Sequence, residues 1–118
     1  MTLQEIAPII DLDTERTIAL FMGKEDMYIK YLKKFPENAR RLLPDLETAV
    51  AEGDHAKIEA TAHAIKGVAA NLGVRSVAEP GAALMLDIRN MTIDLVAGHH
   101  AQLVEKTALA IEYIEKLD

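Results

Sequence analysis

Cysteine and tryptophan are absent from all 118 residues. Without cysteine there is no disulfide scaffold, no thiolate zinc site and no cysteine nucleophile. Aromatic residues make up only 4% of the chain, too little for the β-branched and aromatic cores of sandwiches and barrels. No apolar run approaches the roughly 18 residues that a membrane-crossing helix needs. The opening Met1-Thr2-Leu3-Gln4-Glu5 has neither the basic start nor the apolar run of a secretory signal. Basic residues are outnumbered 13 to 19, and the resulting net charge of −6 argues against nucleic acid or an anionic membrane surface as the main partner. What the chain does have is 50% hydrophobic residues, 27% charged residues and 18 alanines, a globular composition suited to helices packed on small side chains. The expectation is one small helical domain, residues 1–118, in the cytoplasm.

Periodicity supplies the elements. Thr2 and Glu5 have the spacing of a capping box, and Pro8 limits the helix they open. Asp11 and Asp13 offer caps for a second short helix with Ile18 and Phe21, ending near Gly23. From Glu25 to Ala51 the apolar positions Tyr28, Leu32, Phe35, Ala39, Leu42, Leu46 and Ala49 step by four and three. The stripe keeps its phase across Pro36 and Pro44, which predicts one bent helix. Gly53-Asp54 reads as a stop and a restart. Ile58, Ala62, Ile65, Ala69 and Leu72 form the next stripe, closed by Gly73. A fifth segment, about Val74 to Asn90, carries Val77, Gly81, Leu84, Ile88 and Met91, with a kink or interruption expected at Pro80. Leu103, Thr107, Ala110, Ile114 and Leu117 mark a final helix whose start is blurred by Gly98. Long amphipathic helices joined by short turns imply an all-α, antiparallel up-down four-helix bundle, with one or two short N-terminal helices covering an end.

One face of the fourth helix stands apart. Offsets of three and four residues put Glu59, Ala60, Lys66 and Gly67 on the side of the helix that carries His63. At about 100° per residue this side lies next to the apolar stripe, so His63 should face solvent. A glycine in the middle of an exposed helix costs about 0.5–1 kcal/mol relative to alanine, and something should offset it at Gly67. Close approach of another molecule is one candidate; tight packing of a neighbouring helix is the other. Lys66 would set an ammonium beside a negative group carried on the imidazole. These parts suit a nucleophilic histidine that takes a phosphoryl group, since neutral imidazole is available near pH 7. A lone surface histidine on an alanine-rich helix is, on spacing alone, more often just a solvated side chain.

The run His63-Ala64-Ile65-Lys66-Gly67-Val68-Ala69-Ala70-Asn71-Leu72-Gly73 resembles the signature of histidine-containing phosphotransfer (HPt) domains, roughly H-x-[LI]-K-G-x-x-x-N-x-G. Tyr28 to Phe35 resembles the stretch before that family's long second helix, and Ala51-Glu52-Gly53-Asp54 its turn into the histidine helix. The resemblance spans most of the chain, with its specific part between Gly53 and Gly73. Two departures stand out: Ala83-Leu84-Met85-Leu86-Asp87 where such domains often carry a Leu-Glu pair, and Pro80 in the same helix. The resemblance implies that His63 takes a phosphoryl group on its outer ring nitrogen from an aspartyl phosphate of a response-regulator receiver domain, or returns one. It implies Lys66 as the cation beside the phosphoryl oxygens, Gly67 as clearance, and Ala60, Ala64 and Ala70 as a low docking rim. It implies no kinase activity and no cofactor in this chain, with Mg²⁺ supplied by the receiver. The partners would be a receiver domain, a hybrid sensor histidine kinase, or both.

Other features are plainer. Adjacent His99 and His100 diverge by about 100° on a helix, and no histidine has a companion at metal-ligand spacing, so no metal site is expected. His100 falls near the last stripe and reads as structural. Lys24, Lys30, Lys33, Lys34, Arg40 and Arg41 concentrate six of the 13 basic residues, which reads as a solvated face before a docking patch. The methionines read as core filler. Two competing functions remain: a non-catalytic bundle adaptor that binds a signalling partner without phosphotransfer, and a carboxylate di-metal hydrolase, for which the required Glu-x-x-His pairs are missing.

Overall fold

The computed structural model describes residues 1–118, all helix and turn apart from one isolated bridge between Leu12 and Val74. Its seven α-helices are α1 (Leu3–Ile6), α2 (Thr14–Leu20), α3 (Glu25–Leu32), α4 (Phe35–Glu52), α5 (His55–Asn71), α6 (Arg75–Arg89) and α7 (Val96–Ile114), with a 3₁₀ turn at Ile93–Leu95. The long helices close a ring: α4 packs on α5, α5 on α6, α6 on α7, and α7 returns to α4. Their connections are short, which forces antiparallel neighbours. The body is 41 Å long, whereas an 18-residue helix spans about 27 Å. The short N-terminal helices account for the extra length at one end.

Local chemistry explains most boundaries. The Thr2 hydroxyl accepts from the Glu5 amide, and the Glu5 carboxylate accepts from the Thr2 amide, so both halves of the capping box form. Gly53 ends α4 in the left-handed region at φ 65°, and the Asp54 carboxylate accepts from the Lys57 amide to start α5. The stripe of α5 is buried as the periodicity requires, with Ile58, Ala62, Ile65 and Ala69 all within the core.

The stretch from Glu25 to Ala51 is not one bent helix. It breaks at Lys33–Lys34, and α4 restarts with Pro36 in its first turn. There the missing N–H of proline costs nothing, whereas in a continuous helix its ring would collide with the carbonyl four residues back. Pro44 stays inside α4. With α3 detached, three short helices rather than one or two lie outside the bundle. Pro80 does not interrupt α6, which runs unbroken through it. The proposed caps of α2 fail for a different reason: the Asp13 carboxylate pairs with Arg16 at 2.9 Å, and that of Asp11 with Arg75 at 2.8 Å. The methionine reading is also corrected. Met85 is buried, but Met22, Met27 and Met91 are exposed, Met91 because α6 ends before it.

A single core of 27 buried hydrophobic residues extends from Leu3 to Leu117. Two features tie the N-terminal helices to the far end of α5. The buried Tyr28 hydroxyl donates to the Leu72 carbonyl at 2.7 Å, and burial pushes its pKa up, with Asp13 adding to the effect. Gly73, at φ 72°, accepts on its carbonyl from the Asp13 amide at 2.8 Å; a Cβ there would collide with the Thr17 hydroxyl. The last residue of the HPt-like run is therefore a packing point of the fold rather than part of the exposed face.

Candidate functional site

His63 lies in the middle of α5, the helix packed against both α4 and α6, and its side chain is exposed. Its imidazole has no hydrogen-bonding partner within the chain, and neither has the Lys66 ammonium; the paired groups nearby are Glu59 and Arg89. Both nitrogen functions suggested by the sequence are thus unengaged.

The two explanations of Gly67 are separated by its surroundings. A Cβ built at Gly67 meets nothing within 4 Å, so no helix of this chain packs there. Tight packing belongs instead to Gly81 on α6, where a Cβ would lie 3.1 Å from the Lys66 Cβ and 3.4 Å from its Cα. Gly81 lets α6 press against the base of Lys66, holding the aliphatic stem while leaving the ammonium end unpaired. The open space beside Gly67 faces outward, next to His63.

The rim residues differ in their relation to the imidazole. Ala60 lines a shallow surface depression with His63, together with Ala56, Glu59, Met85 and Arg89. Ala64, Gly67 and Ala70 are half-buried along the same helix and lie outside that depression. Met85 and Arg89 were not legible from the motif, because they come from α6. The signal for them is register: Glu59–Arg89, His63–Met85 and Lys66–Gly81 are antiparallel neighbours spaced by about one helical turn. Arg89 donates from Nε to the Glu59 Oε1 at 2.7 Å.

The remaining polar residues have structural work. The His99 Nδ1 lies 2.6 Å from a carboxylate oxygen of Asp87, whose side chain is 5% exposed and whose other oxygen accepts from the Thr92 hydroxyl. This pair, buried on its Asp87 side, fastens α6 to the start of α7. His100 is half-buried beside it in sequence, with its Nε2 enclosed. The basic cluster is dispersed: Arg40 makes a bidentate pair with Glu115, Lys33 donates to the Asp118 carbonyl, and Lys34 sits over the Tyr31 ring. Pairing raises the Arg40 pKa and holds that of Glu115 below the usual carboxylate range. No group of three or more histidine, aspartate or glutamate side chains converges at metal-binding distance, and no helix is long and apolar enough to cross a membrane.

A four-helix bundle that displays an unpaired histidine on an exposed helix face, with a lysine one turn further on, is the arrangement that the resemblance to HPt domains implies. The family model described as Hpt domain matches residues 30–114, well over half of the chain, and the protein belongs to that family. The fold is also similar to the crystal structure of histidine-containing phosphotransfer protein B (HptB) from Pseudomonas aeruginosa PAO1. That likeness has a TM-score of 0.77 and 24% sequence identity, covering 89% of this chain and 91% of that one. No curated relative matches the sequence significantly.

Proposed function

We propose that residues 1–118 form one HPt domain that carries a phosphoryl group on His63 between aspartates of receiver domains in a cytoplasmic two-component phosphorelay. The observation that carries this reading is the pairing of an exposed, unengaged His63 with an empty flank at Gly67 on a helix whose other side is fully packed. In the transfer, the lone pair of the His63 Nε2 attacks the phosphorus of an aspartyl phosphate. The phosphorus–oxygen bond to the receiver carboxyl breaks, the carboxylate leaves with the bond's electron pair, and a phosphorus–nitrogen bond forms. The Nδ1 proton stays on the ring, balancing part of the added negative charge. Reversal returns the group to a second aspartate.

Such a transfer asks mainly for positioning and charge neutralisation. A bundle of this size has no deep cleft, and none is needed if the receiver brings Mg²⁺ and most of the charge-stabilising groups. Lys66, with its stem held by Gly81, would meet the phosphoryl oxygens; the step at Gly67 and the small side chains of Ala60, Ala64 and Ala70 would let the receiver seat closely. Glutamine at position 63 is the direct test. A phosphorylated receiver mixed with the wild-type chain should lose its label to this protein, whereas His63→Gln should leave the label on the receiver while its helical circular dichroism is unchanged. Equal label uptake by both proteins would refute the assignment. Docking of the receiver without any uptake by wild type would instead favour the non-catalytic adaptor. Lys66→Ala should slow uptake or shorten the life of the phosphohistidine, and no change in either would remove its role.

A further inference from the structure

Five of the ten large apolar side chains that stay exposed fall where α6 turns into α7: Leu86, Met91, Ile93, Leu95 and Val104. From Asn90 to Val104 only Asp94 carries a charge, although 27% of the chain is charged. The cores of protein interfaces are depleted of charge in the same way. The outer side of α7 is also low. Ala97, Gly98 and Ala101 are exposed, and a Cβ at Gly98 would meet nothing within 4 Å. No helix of this chain accounts for that glycine. Asp94, Gly98, Gln102 and Lys106 follow one another at steps of four, which makes them one ridge of helix surface. The ridge has an acid at one end and a base about 18 Å along at the other. Neither Asp94 nor Lys106 is ion-paired within the chain.

We infer that the α6–α7 corner is a docking surface for a second copy of this chain, with the two ridges packed antiparallel about a two-fold axis. Turned end for end, the ridge is complementary to itself. Each Asp94 meets Lys106 of the other copy, and each Gly98 leaves space for the other copy's Gln102. A parallel arrangement would set Asp94 on Asp94 and Lys106 on Lys106. Two copies of net charge −6 repel one another, and this uncharged corner is where close approach costs least. Leu95, Ile93 and Met91 beside the ridge supply the apolar contact, each reaching the same surface on its mate, as an isologous interface requires. The twelve exposed residues from Leu86 to Val104 are about half of the 20–30 a side of a standard interface. The dimer is therefore weak, with a Kd of about 10–100 μM. In the ring of helices α7 stands across from α5, so both copies of His63 stay open. The inference is independent of the reading of His63.

The test is sedimentation equilibrium of the full chain from about 5 μM to about 1 mM at physiological ionic strength, a range that brackets the expected Kd. Wild type should follow a monomer–dimer equilibrium. Asp94→Lys and Lys106→Glu each place like charges face to face at two symmetry-related points, and each should weaken the dimer about five- to tenfold. Combining the two substitutions exchanges the charges and should restore wild-type association. Leu95→Ser should also weaken the dimer, with helical circular dichroism unchanged in every variant. A chain that stays monomeric throughout would overturn the inference. So would single charge reversals that associate as wild type does, or a double variant no better than the singles. Growth beyond the dimer would show head-to-tail pairing with a different patch, such as exposed Leu20 and Met22 at the α2–α3 junction, and would overturn the two-fold arrangement.

Discussion

Gly67 and Gly81 are both mid-helix glycines, yet the structure predicts opposite responses to the same substitution. An alanine Cβ at Gly67 would enter open space, with no atom within 4 Å. The change then keeps only the helix-propensity gain of about 0.5–1 kcal/mol, which for a domain of this length raises the melting temperature by roughly 2–5 °C. At Gly81 the same methyl would sit 3.1 Å from the Lys66 Cβ and 3.4 Å from its Cα. Those atoms belong to the spine of α5, packed against α6, and cannot swing aside. Overpacking of that kind costs about 1–3 kcal/mol, which exceeds the propensity gain and leaves Gly81→Ala less stable by up to about 2 kcal/mol. Denaturant melts of the two single variants beside wild type give both signs in one experiment. The same Gly67→Ala protein should accept phosphoryl from a receiver more slowly than wild type, and Gly67→Leu more slowly still, although both fold. A destabilised Gly67→Ala, or a Gly81→Ala that gains as much stability as Gly67→Ala, would refute the assignment of docking clearance to one glycine and helix packing to the other.

Three further outcomes follow from the packing. Tyr28→Phe removes the donor to the Leu72 carbonyl and should cost about 1–2 kcal/mol in urea unfolding, loosening the N-terminal helices first in hydrogen exchange. Asp87→Ala strips the acceptor from both His99 and Thr92 in a nearly closed site, with an expected loss of about 1–3 kcal/mol by the same assay. The carboxyl pKa values of Glu5, Asp13 and Glu115 are held below their ordinary values, chiefly by hydrogen bonds from Thr2, Arg16 and Arg40 respectively. A depressed carboxyl contributes stability that is present above its unfolded pKa and lost as the pH falls through the folded one. The melting temperature should therefore drop below about pH 4, and Arg40→Ala should flatten part of that decline.

Much of the bundle is written in step-of-three-and-four periodicity, because each long helix must bury one stripe and α5 does so at every marked position. The Thr2–Glu5 box, the Gly53–Asp54 turn and the exposure of His63 follow from local rules and appear as expected. What periodicity misses is whether a proline lies in a first turn or an interior. Pro36 therefore splits the run that the stripe alone joins, while Pro44 and Pro80 are absorbed. The aspartates before α2 do not cap it with their side chains, because each carboxylate has an arginine in reach and pairs with that. Arg89, Met85 and the Asp87–His99 pair are tertiary: each depends on the register of α6 against a neighbour, which no single helix encodes. The meaning of Gly67 was open for the same reason, since only the absence of a facing helix distinguishes clearance from packing.

The most direct test of the account is the chemical location of the transferred group. After incubation with a phosphorylated receiver, peptide mass analysis under non-acidic conditions should find one acid-labile phosphoryl group, on His63. A phosphoryl group on another residue, or a chain that remains unmodified as a cognate receiver loses its own to water, would contradict it.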